Sequence, residues 1–210
     1  IKEAEENIRQ ATGMNPLAPN PWDERFAGPE YKYGTEPNAF LREQAARFAA
    51  PAAVLVPGDG EGRNGVWLAR QGHAVTSVDY SAQGLQKTRA LAERFSVAVH
   101  TVLADLSEWA PQPAAFDAVV SVFVHLPASF RAVAHRRLAA GLRPGGWWVL
   151  EAFHPAQLAF DSGGPKDATM LYTPERLDAD FDGLLEPVLR WHGEVELAEE
   201  ILSLVPSMDM

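Results

Sequence analysis

The stretch Ala53–Ser81, AVLVPGDGEGRNGVWLARQGHAVTSVDYS, constrains this chain more than any other. Val54, Leu55 and Val56 form a short apolar run closed by Pro57-Gly58, as expected of a strand buried on both faces. Gly58, Gly60 and Gly62 then alternate, which lets the backbone turn sharply and approach a ligand without side-chain collision. A helix is expected from about Arg63 to Gln71, stopped by Gly72. A second apolar strand, His73 to Val78, follows with Asp79 at its carboxyl end. A glycine loop and helix start beside one strand, and an acid ending the next, make half of a nucleotide site.

The glycines admit two frames. Gly60-Glu61-Gly62-Arg63-Asn64-Gly65 matches the dinucleotide pattern G-x-G-x-x-G by letter, with Asp79 near the spacing that pattern expects. In that pattern the first glycine directly follows the strand, whereas here Pro57, Gly58 and Asp59 intervene. The frame Gly58-x-Gly60-x-Gly62 begins almost where the strand ends.

The rest of the chain repeats strand and helix. Thr35-Glu36-Pro37 is expected to open a helix carrying Leu41, Ala45 and Phe48 on one face and ended by Pro51. After Asp79 come a helix over Ala82–Phe95, a third strand over Val97–Leu103 running into Ala104-Asp105-Leu106, and a fourth over Phe116–Val124 ending at His125. A helix over Ser129–Leu142, with Val133, Ala134, Leu138 and Leu142 inward, is stopped by Pro144-Gly145-Gly146, and Trp147–Phe153 is a fifth strand. Thr173 caps a short helix, Val188–Leu197 alternates as a sixth strand, and Ile201–Val205 is a candidate seventh. The fold class expected is α/β: a Rossmann-like, doubly wound, mostly parallel sheet of seven or six strands with helices on both faces.

Composition removes several functions. With 210 residues, 47% of them hydrophobic, the chain can build one good-sized core. A net charge of -10 speaks against phosphate backbones and anionic lipid as general partners, and the only basic stripe, Arg131 to Arg143, reads as a solvated helix face. No cysteine is present, so disulfides, a thiol nucleophile and thiolate metal sites are excluded. No run is apolar for long enough to span a bilayer, and the acidic start IKEAEEN lacks the apolar core of a signal peptide, which suggests a cytoplasmic location. Residues 1–34, rich in proline and glycine yet bearing Trp22, Phe26, Tyr31 and Tyr33, read as an arm or lid over a domain of residues 35–210.

In order and spacing, the body from about Tyr31 to Leu197 resembles the class I S-adenosylmethionine (SAM)-dependent methyltransferases. The resemblance rests on Gly58-x-Gly60-x-Gly62, Asp79, Asp105-Leu106, the strand Phe116-Asp117-Ala118-Val119-Val120-Ser121, and Leu142-Arg143-Pro144-Gly145-Gly146. Within the class, YGTEPNAFL and GEGRNGVWLA look like the tellurite-resistance and thiopurine methyltransferase relatives, which act on small, soft nucleophiles. The resemblance implies SAM as cofactor and a small-molecule methyl acceptor, with no metal, and leaves the oligomeric state open.

It also implies a set of cofactor residues. Gly58, Gly60 and Gly62 would let the backbone approach, and Asp79 would accept both ribose hydroxyls. Tyr80 would flank the adenine, Asp105 would accept from its amino group, and Leu106 would offer its backbone amide. Phe123 and His125 end the fourth strand on the ligand rim, and Tyr33 resembles a position near the methionine end. Where many members carry an acid two residues before the first glycine, this chain has Val56, which makes Asp59 a candidate for the methionine amine. In-line methyl transfer needs alignment and water exclusion more than a covalent catalyst. His125, His154 and Tyr33 are the candidates should the acceptor need help with its proton. Two rivals remain at this level: an NAD-dependent oxidoreductase, and a SAM- or nucleotide-binding sensor without chemistry.

Overall fold

A computed structural model describes residues 20–160 and 163–194. Five strands, β1 (Ala53–Pro57), β2 (Ala74–Asp79), β3 (Val99–Leu103), β4 (Phe116–Val122) and β5 (Leu142–Glu151), form one sheet in the order β3-β2-β1-β4-β5. Every pairing is parallel. The chain starts in the middle, winds out to β3, then returns past β1 to β4, so β1 and β4 flank the point where the winding reverses. In open α/β sheets ligands bind outside the carboxyl ends of the strands at that reversal.

The central strand shows why the run Val54-Leu55-Val56 is continuously apolar. Val54 and Val56 belong to one cluster, with Leu41, Phe48, Leu68, Val75, Ala118, Val120 and Val149. Leu55 belongs to the opposite cluster, with Val78, Ala104, Val119, Leu138 and Leu142. All three side chains are almost wholly out of water. Each contributes about 1.5–3 kcal/mol by burial, so a polar residue at any of them would be costly.

Helices α2 (Ala39–Gln44) and α3 (Arg63–Arg70) cover the first face through Leu41 and Leu68, and α4 (Ala82–Arg94) packs beside α3. On α4 Leu85, Thr88, Leu91 and Ala92 are all buried. Helix α5 (Arg131–Ala140) covers the second face through Leu138, and α6 (Pro174–Phe181), capped by Thr173 as expected, packs on α5. A short helix, α1 (Pro21–Phe26), precedes the body.

Several expectations need correction. The strand count is five among the described residues, since Val188–Glu194 forms no strand. The remainder of that expected strand, 195–197, and the candidate strand Ile201–Val205 lie outside the described residues. Helix α2 begins three residues beyond Pro37's neighbour Glu36: its cap is Asn38, not Thr35, because the Asn38 side chain accepts from the Leu41 N–H at 2.9 Å. Val133 is exposed while Ala134 is buried.

Arg143-Pro144-Gly145-Gly146 does not stop α5, which ends at Ala140. It lies inside β5 as an irregularity: Leu142 pairs with Phe116, and pairing resumes with Trp147 opposite Ala118. Gly145 has φ +80°, a conformation that suits glycine there. The arm contains one regular element in its described part, and residues 1–19 lie outside the described residues.

Candidate active site

The loop after β1 is built on glycines for steric reasons that differ from one position to the next. Gly58, Gly60 and Gly62 have φ of +62°, +59° and +87°, the left-handed region. A Cβ on Gly58 would press into Val124, so the loops after β1 and β4 touch across the reversal point. A Cβ on Gly60 would stand 3.2 Å from the Phe26 ring of α1. Gly65, the last glycine of the letter-matched G-x-G-x-x-G, has a different duty. A Cβ there would collide with Asp59 and Ser77, so Gly65 permits α3 to close on the strands. Both frames therefore describe real features of one loop.

The acids between these glycines turn inward. Asp59 is buried and accepts from the Ser77 hydroxyl, and its Oδ1 accepts from the Gly65 N–H at 3.2 Å. It thereby supplies the side-chain cap that Gly62, at the start of α3, cannot provide. Burial raises its carboxyl to about 6 against the pull of those hydrogen bonds. Val56, where an acid would be expected to reach the cofactor, is in the core cluster under α2 and α3.

Asp79 sits at the end of β2 as expected. Its Oδ2 accepts from the Gly60 N–H and its Oδ1 from the Ser81 N–H, both at 2.8 Å. Burial raises its carboxyl to about 6 as well. Each oxygen retains a second lone pair, so two ribose hydroxyls can still be accepted. The Tyr80 hydroxyl is pushed to about 12 by burial and by the charges of Asp79, Asp105 and Asp23. Asp105 accepts from the Ser107 N–H through Oδ1 at 2.8 Å, a turn cap that leaves Oδ2 without a partner among the described residues. The Leu106 side chain packs against the second-face cluster.

At the end of β4, Phe123 has φ +55°, an uncommon and strained conformation for a residue with a Cβ, at the rim of the reversal point. Its ring stacks on Phe153 with centroids 4.6 Å apart, and the His125 ring stacks on the other partner of that pair, 5.5 Å from Phe153. Both His125 nitrogens are engaged by backbone. Nδ1 lies 3.0 Å from the Met170 carbonyl, and Nε2 accepts from the Phe153 N–H at 3.2 Å. This requires the neutral ring protonated at Nδ1, and burial lowers its pKa accordingly. The Tyr172 hydroxyl is also held at both ends, accepting from the Leu126 N–H and donating to the Val124 carbonyl. His154 is exposed, and its Nδ1 accepts from the Ala156 N–H at 3.1 Å.

Sequence reasoning missed how closely the arm joins this loop. Phe26 is 3% exposed, packed over Gly60 and against Gly84, with Tyr33 edge-on to its ring. The Asn20 side chain donates to the Tyr80 carbonyl at 2.7 Å, and Asp23 accepts from the Ser81 hydroxyl at 2.6 Å and the Gln83 N–H at 3.0 Å. The available signal was Ser81 as the cap of α4, and it could not reveal a second partner far away in sequence.

Residues 54–146 match the family described as "Methyltransferase domain". No curated protein sequence matches the chain. Among solved structures, a SAM-dependent methyltransferase from Mesorhizobium loti is similar at 21% identity over 72% of this chain and 74% of its own, with a TM-score of 0.52. TehB from Haemophilus influenzae is similar at 18% identity over 84% of this chain and 54% of its own, with a TM-score of 0.55. A structure described as "Conversion of a Disulfide Bond into a Thioacetal Group during Echinomycin Biosynthesis" is similar at 20% identity over 77% of both chains, with a TM-score of 0.62. At such identities these likenesses speak for the fold, and the matched domain speaks for the chemistry. A stretch matching a methyltransferase domain thus runs from β1 into β5 of a five-stranded parallel core, and the fold of that core is shared with the solved SAM-dependent methyltransferase structure.

Proposed function

We propose that this enzyme transfers the methyl group of SAM to a small acceptor that is already nucleophilic, such as a thiol or a chalcogen oxyanion. The observation that carries the reading is the state of His125. A general base needs a free lone pair at hydrogen-bond reach of the acceptor. In His125 one nitrogen holds the Phe153 N–H and the other faces the Met170 carbonyl. The Tyr172 hydroxyl nearby is held at both ends, and Phe123 and Phe153 stack on each other beside it. An acceptor entering beside these aromatic rings finds neither His125 nor Tyr172 ready as a base, which suits a soft anion and disfavours a phenol or an ammonium that must first lose a proton. The cofactor-side assignments, Gly58, Gly60, Gly62, Asp79, Tyr80, Asp105, Leu106, Phe123 and Tyr33, belong to the same proposal.

One fold neighbour is described by a reaction at sulfur, the thioacetal formation of echinomycin biosynthesis. Another, coclaurine N-methyltransferase, is named for transfer to nitrogen. The neighbours therefore leave the acceptor to the residues of this chain, and His125 favours the soft one.

The test is methyl transfer from SAM to matched acceptors: small thiols, selenite and tellurite against phenols and secondary amines. Turnover is expected with the first group, with a rate that follows the ionised fraction of the thiol. Faster turnover of a phenol or amine would overturn the acceptor assignment and leave the enzyme class untouched.

A further inference from the structure

The glycine loop has a second connection, leading away from the crevice. Glu61, between Gly60 and Gly62, is 5% exposed, which is unusual for an acid on a loop. Its Oε1 accepts from Lys87 Nζ of α4 at 2.7 Å, with both side chains largely out of water. Its Oε2 accepts from the backbone N–H of Lys32 at 2.7 Å. Lys87 Nζ also donates to the Glu30 carbonyl at 2.6 Å, and the Tyr31 hydroxyl donates to the Lys87 carbonyl at 3.1 Å. Residues 30–32 are thus fastened to the body through two side chains, one on the glycine loop and one on α4.

A buried ion pair of this kind is a poor source of stability, because desolvation offsets much of the Coulomb attraction. Two apolar side chains would pack α4 against the loop as well. What they could not do is accept the Lys32 N–H and donate to the Glu30 carbonyl. Fixing register is the use of such pairs that physical chemistry supports best. Register matters here because of the arm residues on either side of this anchor: Phe26 stands over Gly60, and Tyr33 lies edge-on to the Phe26 ring.

The geometry points to Glu61 as a positioning residue for the methyl-transfer site. Through Lys87 it sets the register of residues 30–33 against the glycine loop, so that cofactor affinity depends on a carboxylate that faces the arm and not the crevice. The inference rests on the cofactor class and is independent of which acceptor is used.

The experiment compares wild type with E61Q, K87M and K87R. Three quantities are read at a temperature where each variant is folded: S-adenosylhomocysteine affinity by calorimetry, the split between KM for SAM and kcat, and the rate of tryptic cleavage after Lys32 with and without S-adenosylhomocysteine. For E61Q and K87M, cofactor affinity is expected to weaken about tenfold, the scale of one charge-assisted hydrogen bond. KM for SAM should rise by the same factor with kcat at saturating SAM nearly unchanged, and cleavage after Lys32 should accelerate even without ligand. K87R, which keeps the charge and the donors, should restore most of both.

Wild-type affinity together with wild-type protease resistance in E61Q and K87M would overturn the proposal. So would weakened affinity with an arm still protected, which would confine Glu61 to the loop itself. If E61Q does not fold, K87M carries the same readings with the Lys32 contact left in place, and failure of both to fold would show the pair to be structural. Cleavage without ligand reads the arm's register whatever becomes of the cofactor assignment.

Discussion

Asp79 accepts the Gly60 amide at 2.8 Å, tying the end of β2 to the loop after β1 across 19 residues. The acid proposed for the ribose is therefore also the group that holds the loop in shape, and its protonation state bears on both roles.

Burial raises the Asp79 carboxyl to about 6 in the free protein. A folded pKa above the unfolded one means a contribution to stability that is present below the ordinary carboxylate range and lost as pH rises through about 6. At pH 7 the ionised Asp79 thus burdens the free fold while it serves the ligand. S-adenosylhomocysteine affinity is expected to be flat above pH 7 and to weaken about tenfold per pH unit below 6, as one proton competes with binding. Asp79→Ala should lose at least about tenfold in affinity and also lower the melting temperature, because it strands the Gly60 and Ser81 amides. Calorimetry across pH checks both, and an unchanged dissociation constant in the variant would move the ribose site elsewhere.

Gly65→Ala tests the second glycine frame. The added methyl meets the Asp59 carboxylate and the Ser77 hydroxyl, both buried and bonded to each other. Relief requires α3 to shift or the Asp59 cap to break, a cost of about 1–3 kcal/mol typical of overpacking. Urea unfolding should show that loss, whereas Gly72→Ala, where nothing lies within 4 Å of the new methyl, should lose less and only through its φ of +89°. Equal losses at the two positions would count against the packing role.

His125→Ala should damage stability and spare the chemistry. It strands the Phe153 N–H and the Met170 carbonyl, each at about 1–3 kcal/mol if left unpaired in the interior. Because burial holds the ring's pKa below its ordinary value, its contribution is present above about pH 6.5 and is lost as pH falls below that. The stability gap between wild type and variant is therefore expected to be wider at pH 7.5 than at 5.5 in denaturant titrations. The pH–rate profile of methyl transfer should keep its shape; a lost limb in that profile would restore His125 as a base.

Deleting residues 1–30 should leave a folded protein, since neither sheet-face cluster draws on a residue before Phe40. The deletion uncovers Gly60 and Gly84, on which Phe26 packs, and removes the partners of Tyr80, Ser81 and Gln83. If the arm acts as a lid that excludes water and shapes the acceptor pocket, single-turnover transfer collapses while SAM affinity falls less. A truncated protein with lower melting temperature and undiminished transfer per folded molecule would reduce the arm to a cover.

Much of this architecture was legible because it is local. The winding of strands and helices follows from apolar runs of strand length alternating with helical stripes, and Val54, Leu55 and Val56 announced a strand buried on both faces. The glycines announced a loop that only positive φ could close, and Asp79 its place beside that loop. The phrase that weighed most in the resemblance, Leu142-Arg143-Pro144-Gly145-Gly146, serves structure at the opposite end of the sheet. There Arg143 pairs with Asp117 at 2.5 Å, and Asp117 accepts from the Ala53 N–H that begins β1 at 2.7 Å.

What the chain order could not reveal depends on partners distant in sequence. Nothing in the letters distinguishes a carboxylate facing a ligand from one facing its own protein. Asp59 turns toward Ser77, Glu61 toward Lys87 and Lys32, and Asp79 toward Gly60, each according to which donors the packed helices and arm bring within reach. His125 reads the same way from sequence whether it is a base or a staple, and the Met170 carbonyl and Phe153 amide that engage its two nitrogens are contacts the letters do not show. A side chain's chemical identity is set by its codon, but its protonation state and free lone pairs are set by the low-dielectric surroundings that tertiary packing assembles.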